Sequence, residues 1–223
     1  MVSDEKTSLL LDAGIPAREI SKLSGYRLNE ISACLVTHEH GDHCKAVNDL
    51  YMKYGVVSYL SKGTVKGADE HPWKIKVPVE ICKAKEPLSI GTFVVQPFDV
   101  QHDAEEPLGF LLQSTESGER LLYFTDTYYL KYRFNHVNYI IGECNYVKSI
   151  LEDNVKNGRI PPERASRTLR SHMSLEHLLE FLKANDLSEL KQIYLAHISD
   201  ANGNDQIMSD AVKKLLGVEV IVT

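Results

Sequence analysis

Thr37-His38-Glu39-His40-Gly41-Asp42-His43 places three imidazoles and a carboxylate within six residues. Neutral nitrogens beside an anionic oxygen are the donor set that suits zinc, manganese or iron. With nine His in 223 residues, chance would produce the pattern H-x-H-x-D-H about once in a thousand such chains. A cluster of solvated surface histidines is therefore a poor account of it. On an extended strand exit, His38 and His40 share a face and can grip one metal, whereas in a helix they would point apart. Asp42 and His43 follow Gly41, whose free backbone allows a sharp turn toward a second position. A second metal, roughly 3.5–4 Å from the first, is what doubled ligand sets usually hold.

On both sides of this run, short apolar stretches alternate with helical ones, which predicts a layered α/β fold. Strands are expected at 7–11, 33–37, 56–60, 92–100, 109–113, 120–125, 139–142, 192–196 and 218–222. Helices are expected from Pro16, as the first helical position, to a stop at Gly25, and at 45–54 before Gly55. Further helices are expected at 146–155, 162–169, 175–185 with Ser174 as N-cap, and 206–216 before Gly217. No repeat or linker-like tract interrupts the chain, so one domain spanning residues 1–223 is expected.

Three polar residues stand directly after apolar strands: His102, Asp126 and His197. Any one alone reads as a satisfied strand-end side chain. Together with His38, His40, Asp42 and His43 they complete a two-metal donor set.

Composition is that of an ordinary globular protein, with no run of about 18 apolar residues and no signal-peptide pattern at the start. Cys34, Cys44, Cys82 and Cys144 form no C-x-x-C pair, so neither a disulfide scaffold nor a cysteine zinc module is expected; a reducing cytoplasm is. Cys44 reads as packing, and His71, His136 and His177 carry no assigned role. The net charge of −6 does not mark a general nucleic-acid binder. However, Lys148–Arg170 holds six basic residues against three acids. That run is either a solvated helical face or a local phosphate-attracting patch, with Arg159, Arg164, Arg167 and Arg170 as candidate contacts.

From Leu9-Leu10-Leu11-Asp12-Ala13-Gly14 through His38-x-His40-x-Asp42-His43, His102, Asp126 and His197, the chain resembles the metallo-β-lactamase-fold hydrolase superfamily over essentially its whole length. Within it, His102-Asp103-Ala104-Glu105-Glu106, Glu143-Cys144-Asn145 and Ser171-His172-Met173-Ser174 resemble the YycJ/WalJ branch, described as phosphodiesterases or exonucleases acting on DNA. The resemblance implies an αββα sandwich with two divalent metals, zinc or manganese with iron also compatible. It assigns His38, His40 and His102 to one metal and Asp42, His43 and His197 to the other, with Asp126 bridging. Asp12 would orient a ligand histidine. His172 would be a general acid, the lesser alternative being an exposed residue ahead of the Ser174 cap. Asp42 would orient the attacking hydroxide and take part in proton transfer.

The implied function is metal-dependent hydrolysis of a phosphodiester, with DNA or RNA as partner and no membrane. The same metals also serve hydrolysis of thioesters, lactones or β-lactams, and a catalytically silent metal-binding module is a third class. The branch also implies a further N-terminal strand and a Ser/Gly-rich loop ahead of residue 1, so either the start belongs further upstream or the 7–11 strand is expected to be a bare edge. Where the branch often has a histidine after Glu143-Cys144-Asn145, this chain has Tyr146.

Overall fold

The apolar runs Leu9-Leu10 and Ala33-Cys34-Leu35 become neighbouring parallel strands because each is buried on both faces. The computed structural model describes residues 1–223. The chain divides into two units, residues 1–99 with 104–118, and residues 100–103 with 119–223.

The first unit carries a sheet in the order β1 (Val2–Ser3), β2 (Ser8–Leu11), β3 (Ile31–Leu35), β4 (Ser58–Leu60), β5 (Val79–Ile81). From β2 onward the pairs are parallel, which requires crossovers. These run through α1 (Ala17–Leu23), the short helix α2 (Gly41–Cys44), α3 (Val47–Tyr54) and α4 (Lys62–Ala68). Leu28, Cys34, Val36, Leu50 and Leu60 meet in one core. Burying such a side chain stabilises by about 2 kcal/mol, so the strand exits stand on a rigid base. An antiparallel meander, β6 (Leu88–Ile90), β7 (Phe93–Asp99) and β8 (Leu108–Ser114), completes this unit.

The edge at β2 is not bare: Val2 pairs with Leu9 and Ser3 with Ser8. The turn between them is pinned by Asp4, whose carboxylate accepts hydrogen bonds from Thr92 Oγ1 (2.7 Å), Ser114 Oγ (2.6 Å) and Thr7 N (3.0 Å). Burial works against the charged carboxylate, but the bonds from Ser114, Thr7, Thr92 and Lys6 outweigh it and hold the pKa down to about 2. A depressed folded pKa stabilises the fold above the ordinary aspartate value, and that contribution is lost as pH falls through about 2. Asp4→Asn is therefore expected to lower the melting temperature at neutral pH. The gap to the wild type should close as pH falls from about 4 toward 2; a gap independent of pH in melting curves would show that the charge contributes nothing.

The second unit is a parallel sheet ordered β12 (Glu219–Val222), β11 (Gln192–Ala196), β10 (Tyr139–Glu143), β9 (Arg120–Phe124). Its helices are α5 (Lys148–Lys156), α6 (Pro162–Ser171), α7 (Leu175–Ala184) and α8 (Asp205–Leu216). Ser174 caps α7 by accepting from His177 N (3.1 Å), and Gly217 ends α8 at φ 70°. Tyr146 is wholly buried with Leu151, Ile160 and Ala165, so the position that departs from the branch pattern is a core residue here. No helix is long and apolar enough to cross a membrane.

Several expected boundaries shift by one or two residues, β3 running over Ile31–Leu35 rather than 33–37 and α6 on to Ser171 rather than 169. Pro16 lies one residue outside α1, because its ψ of 137° is extended. The helix expected at 45–54 is preceded by α2, so Asp42 and His43 sit on a helical turn. Gly41 is not in a left-handed conformation; its reason is space, since a Cβ there would stand 2.8 Å from the Trp73 ring.

Candidate metal centre

In the first unit, Asp12 leaves the end of β2 and the His38 loop leaves the end of β3. The Asp12 side chain bridges them. Its Oδ1 accepts from Thr37 N (2.7 Å), and its Oδ2 lies 2.8 Å from His43 Nδ1. The backbone locks the same pair, Ala13 N donating to His43 O (2.6 Å) and Ala46 N to Ala13 O (2.9 Å). Gly14 fits only without a side chain, because a Cβ would lie 1.4 Å from the carbonyl oxygen of Asp42. His38 Nε2 and His40 Nδ1 converge to 3.0 Å, as the extended exit predicts. Cys44 is buried with Sγ on Glu39 O (3.0 Å), and burial pushes its thiol up to about 12, which suits packing rather than nucleophilic chemistry.

In the second unit, Asp126 follows β9 and His197 follows β11. Asp126 Oδ2 lies 3.4 Å from His102 Nε2, and Asp126 Oδ1 lies 3.0 Å from His197 Nδ1. The structure adds Glu143, to which the sequence attached no role. It is fully buried at the end of β10. One carboxylate oxygen accepts from Thr127 N (2.9 Å) and Met173 N (3.0 Å). The other lies 2.7 Å from His172 Nδ1 and 3.0 Å from His197 Nδ1. Donor atoms of Asp126, Glu143, His172 and His197 all fall within 4.8 Å of one another. A buried carboxylate shared by two imidazoles leaves no local pattern; the one signal was its place at a strand exit.

Asp12, Asp126 and His197 all have positive φ, at 58°, 44° and 58°. Each costs about 1–2 kcal/mol relative to ordinary backbone. All three follow a parallel strand; Glu5, Tyr26, Lys85 and His136 share the positive φ elsewhere in the chain, so such backbone is not confined to the site.

The imidazoles fit a metal. A carboxylate or carbonyl oxygen can only accept, so the contact at Nδ1 fixes the proton there and leaves Nε2 with its lone pair. Asp12 does this for His43, the Ser171 carbonyl for His102 (2.9 Å) and Asp126 with Glu143 for His197. That polarity is the one metal-ligating histidines show.

His172 is not the exposed residue its place before a cap would suggest. Its side chain is 22% exposed, and its ring stacks 5.3 Å from that of His197 and lies 5.5 Å from that of His102. Burial disfavours the imidazolium, but the hydrogen bond and charge of Glu143, with Asp126 adding to them, raise its pKa above the ordinary histidine value.

Of the four arginines, Arg167 reaches the His102 loop, its Nε donating to Asp103 Oδ2 at 3.0 Å. Arg159 instead bonds Asn154 Oδ1 (3.1 Å) and Arg170 its own helix at Ser166 O (3.1 Å), while Arg164 is exposed on α6. His71 stacks on Trp73, and His136 pairs with Glu189.

The Beta-lactamase superfamily domain profile matches residues 7–198. The chain is 29% identical over 224 residues to an exodeoxyribonuclease YycJ of Bacillus anthracis, covering 96% of this chain and 82% of that one. To an exodeoxyribonuclease WalJ of Streptococcus pneumoniae it is 29% identical over 211 residues, covering 88% and 76%. The metallo-β-lactamase-fold protein YhfI of Bacillus subtilis superposes with a TM-score of 0.72 at 18% identity, covering 99% of this chain and 86% of that one. With α/β architecture, helices on two sheets and a profile match over most of its length, the chain belongs to the β-lactamase superfamily and has the metallo-β-lactamase fold.

Proposed function

We propose that this chain is a binuclear metal-dependent phosphodiesterase acting on nucleic acid, with DNA the foremost substrate. Family membership and the two relatives named as exodeoxyribonucleases support the reading. The observation that carries it is local: a guanidinium, Arg167, and an imidazole, His172, both reach the surroundings of His102. The first suits an anionic substrate and the second a leaving oxygen that needs a proton.

His38, His40 and His102 would hold one divalent cation, and Asp42, His43 and His197 the other, with Asp126 serving both; zinc and manganese suit these donors, and iron is compatible. When bound, such a pair supplies Lewis acidity and lowers the pKa of water. The protein does the rest. Asp12 and the Ser171 carbonyl keep the lone pairs of His43 and His102 at Nε2. Asp42, with a side chain 67% exposed, orients the attacking water and accepts its proton. His172 is held at Nδ1 by Glu143 and so offers Nε2 to the leaving oxygen. Arg167 and the exposed Arg164 of the same helix contact phosphates, which sets register without reading sequence, while Arg159 and Arg170 stay engaged with Asn154 and Ser166.

Protein purified without chelator would be analysed for metal and assayed on bis-p-nitrophenyl phosphate, a thioester and nitrocefin. Turnover of the diester is expected. Hydrolysis of only the thioester and nitrocefin would move the site to carbonyl chemistry, and a fully metallated protein inert on all three would be a binding module.

A further inference from the structure

One residue beyond Asp126 the chain reads Thr127-Tyr128-Tyr129-Leu130-Lys131-Tyr132-Arg133-Phe134. Leu130 and Phe134 are buried and anchor it: Phe134 N donates to Asn185 Oδ1 (2.6 Å), and its ring meets Phe181 edge to face. What the anchors turn outward is unusual for a loop. Tyr129 is 54% exposed, Lys131 and Arg133 are exposed, Tyr132 is half-buried, and Lys131 Nζ stands 5.2 Å over the Tyr132 ring. Exposed rings of this size expend apolar surface on water unless something covers them.

These side chains border a cavity of about 230 Å³, lined by Tyr129, Lys131, Tyr132, Arg133, Met173 and His177 among others. Met173 follows His172 directly and donates its N–H to Glu143. The cavity wall is thus continuous with the His172 cluster, within one unit of the fold.

We propose that this cavity is a base-binding subsite for single-stranded nucleic acid, in which Tyr129 and Tyr132 stack on an unpaired base while Lys131 and Arg133 take the flanking phosphates. It rests on the phosphodiesterase reading of the adjoining cluster. Rings interleaved with cations grip a strand without regard to sequence, because every base has a π face and every linkage a charge. A duplex keeps its bases stacked on one another and has no free face to offer, so the subsite selects unpaired ends or single strands.

Fluorescence anisotropy with a labelled oligothymidylate, phosphorothioate-linked to keep it intact, tests this against an oligouridylate, an abasic strand of equal length and a blunt duplex. The wild type should bind both base-bearing single strands more tightly than the abasic strand or the duplex. Tyr129→Ala, a truncation at an exposed ring, should weaken the base-bearing strands about tenfold and leave the abasic strand where it was. Tyr129→Phe, which keeps the ring, should restore the affinity. Lys131→Ala with Arg133→Ala should flatten the slope of log affinity against log salt by about 0.7 for each phosphate no longer neutralised. Equal affinity for all four ligands, a Tyr129→Ala loss shared by the abasic strand, or no rescue by Phe would overturn the subsite. Turnover of bis-p-nitrophenyl phosphate by the wild type is read separately. A diesterase without base preference refutes the subsite alone, whereas inertness on every diester refutes the phosphodiesterase reading.

Discussion

Replacing His40 by alanine is expected to abolish hydrolysis and to strip divalent metal from the protein in one step. His38 Nε2 and His40 Nδ1 stand 3.0 Å apart, close to the roughly 3.3 Å that two nitrogens span on a tetrahedral ion with bonds near 2.0 Å. Removing one takes a nitrogen from the three-histidine set proposed for that cation. Partners that merely orient a metal ligand change affinity by about 10–100-fold, so losing a ligand should cost more than that. The fold should survive. The His40 carbonyl, which alanine retains, accepts from His43 N (2.9 Å) and Cys44 N (3.0 Å) and starts α2. Metal analysis and circular dichroism on the same sample check both halves; an unchanged metal content in folded, active protein would remove His40 from the ligand set.

The second large effect separates chemistry from metal binding. His172→Ala should leave the metal in place while turnover falls by about 10²–10⁴, the range general acid–base catalysis supplies. The loss should depend on the leaving group. A nucleotide hydroxyl must be protonated as it departs, whereas p-nitrophenolate leaves readily without help, so bis-p-nitrophenyl phosphate should suffer far less than an oligonucleotide. Equal losses on the two substrates would reduce His172 to a structural partner of Glu143, and unchanged turnover on both would dismiss it.

The strand exits were legible because each joins an apolar run to a single polar residue. Leu121-Leu122-Tyr123-Phe124 before Asp126, and Ile193-Tyr194-Leu195-Ala196 before His197, combine burial with a chemical group at a fixed point. Gly55, Gly217 and Ser174 marked helix ends for equally local reasons. Helix α4 escaped notice: Lys62-Gly63-Thr64-Val65-Lys66-Gly67-Ala68 has poor intrinsic propensity. What holds it comes from elsewhere in the unit, with Glu106 Oε2 accepting from Gly63 N (2.7 Å) beside the local Ser61 cap. Strands β5 and β6, at three residues each, are too short to display alternation.

In the site, residue types that ligate metals announced themselves, but the residues that aim them did not. Glu143 bonds residues 29 and 54 positions away, and the backbone twist at Asp12, Asp126 and His197 is visible only once the strands are placed. Charge counting found the basic run. It could not tell that Arg167 alone among its arginines meets the His102 loop while Arg159 is tied to α5.

Trp73 is the chain's single tryptophan. Its indole N–H donates to the Glu39 carbonyl (2.8 Å), and its ring edge lies against Gly41, so it brackets His40 from both sides in sequence. The molecule therefore carries a native fluorophore against the loop proposed to hold a cation. Ultraviolet emission can follow cation loading at that loop in real time, without a label, and can report it even for variants that turn over no substrate.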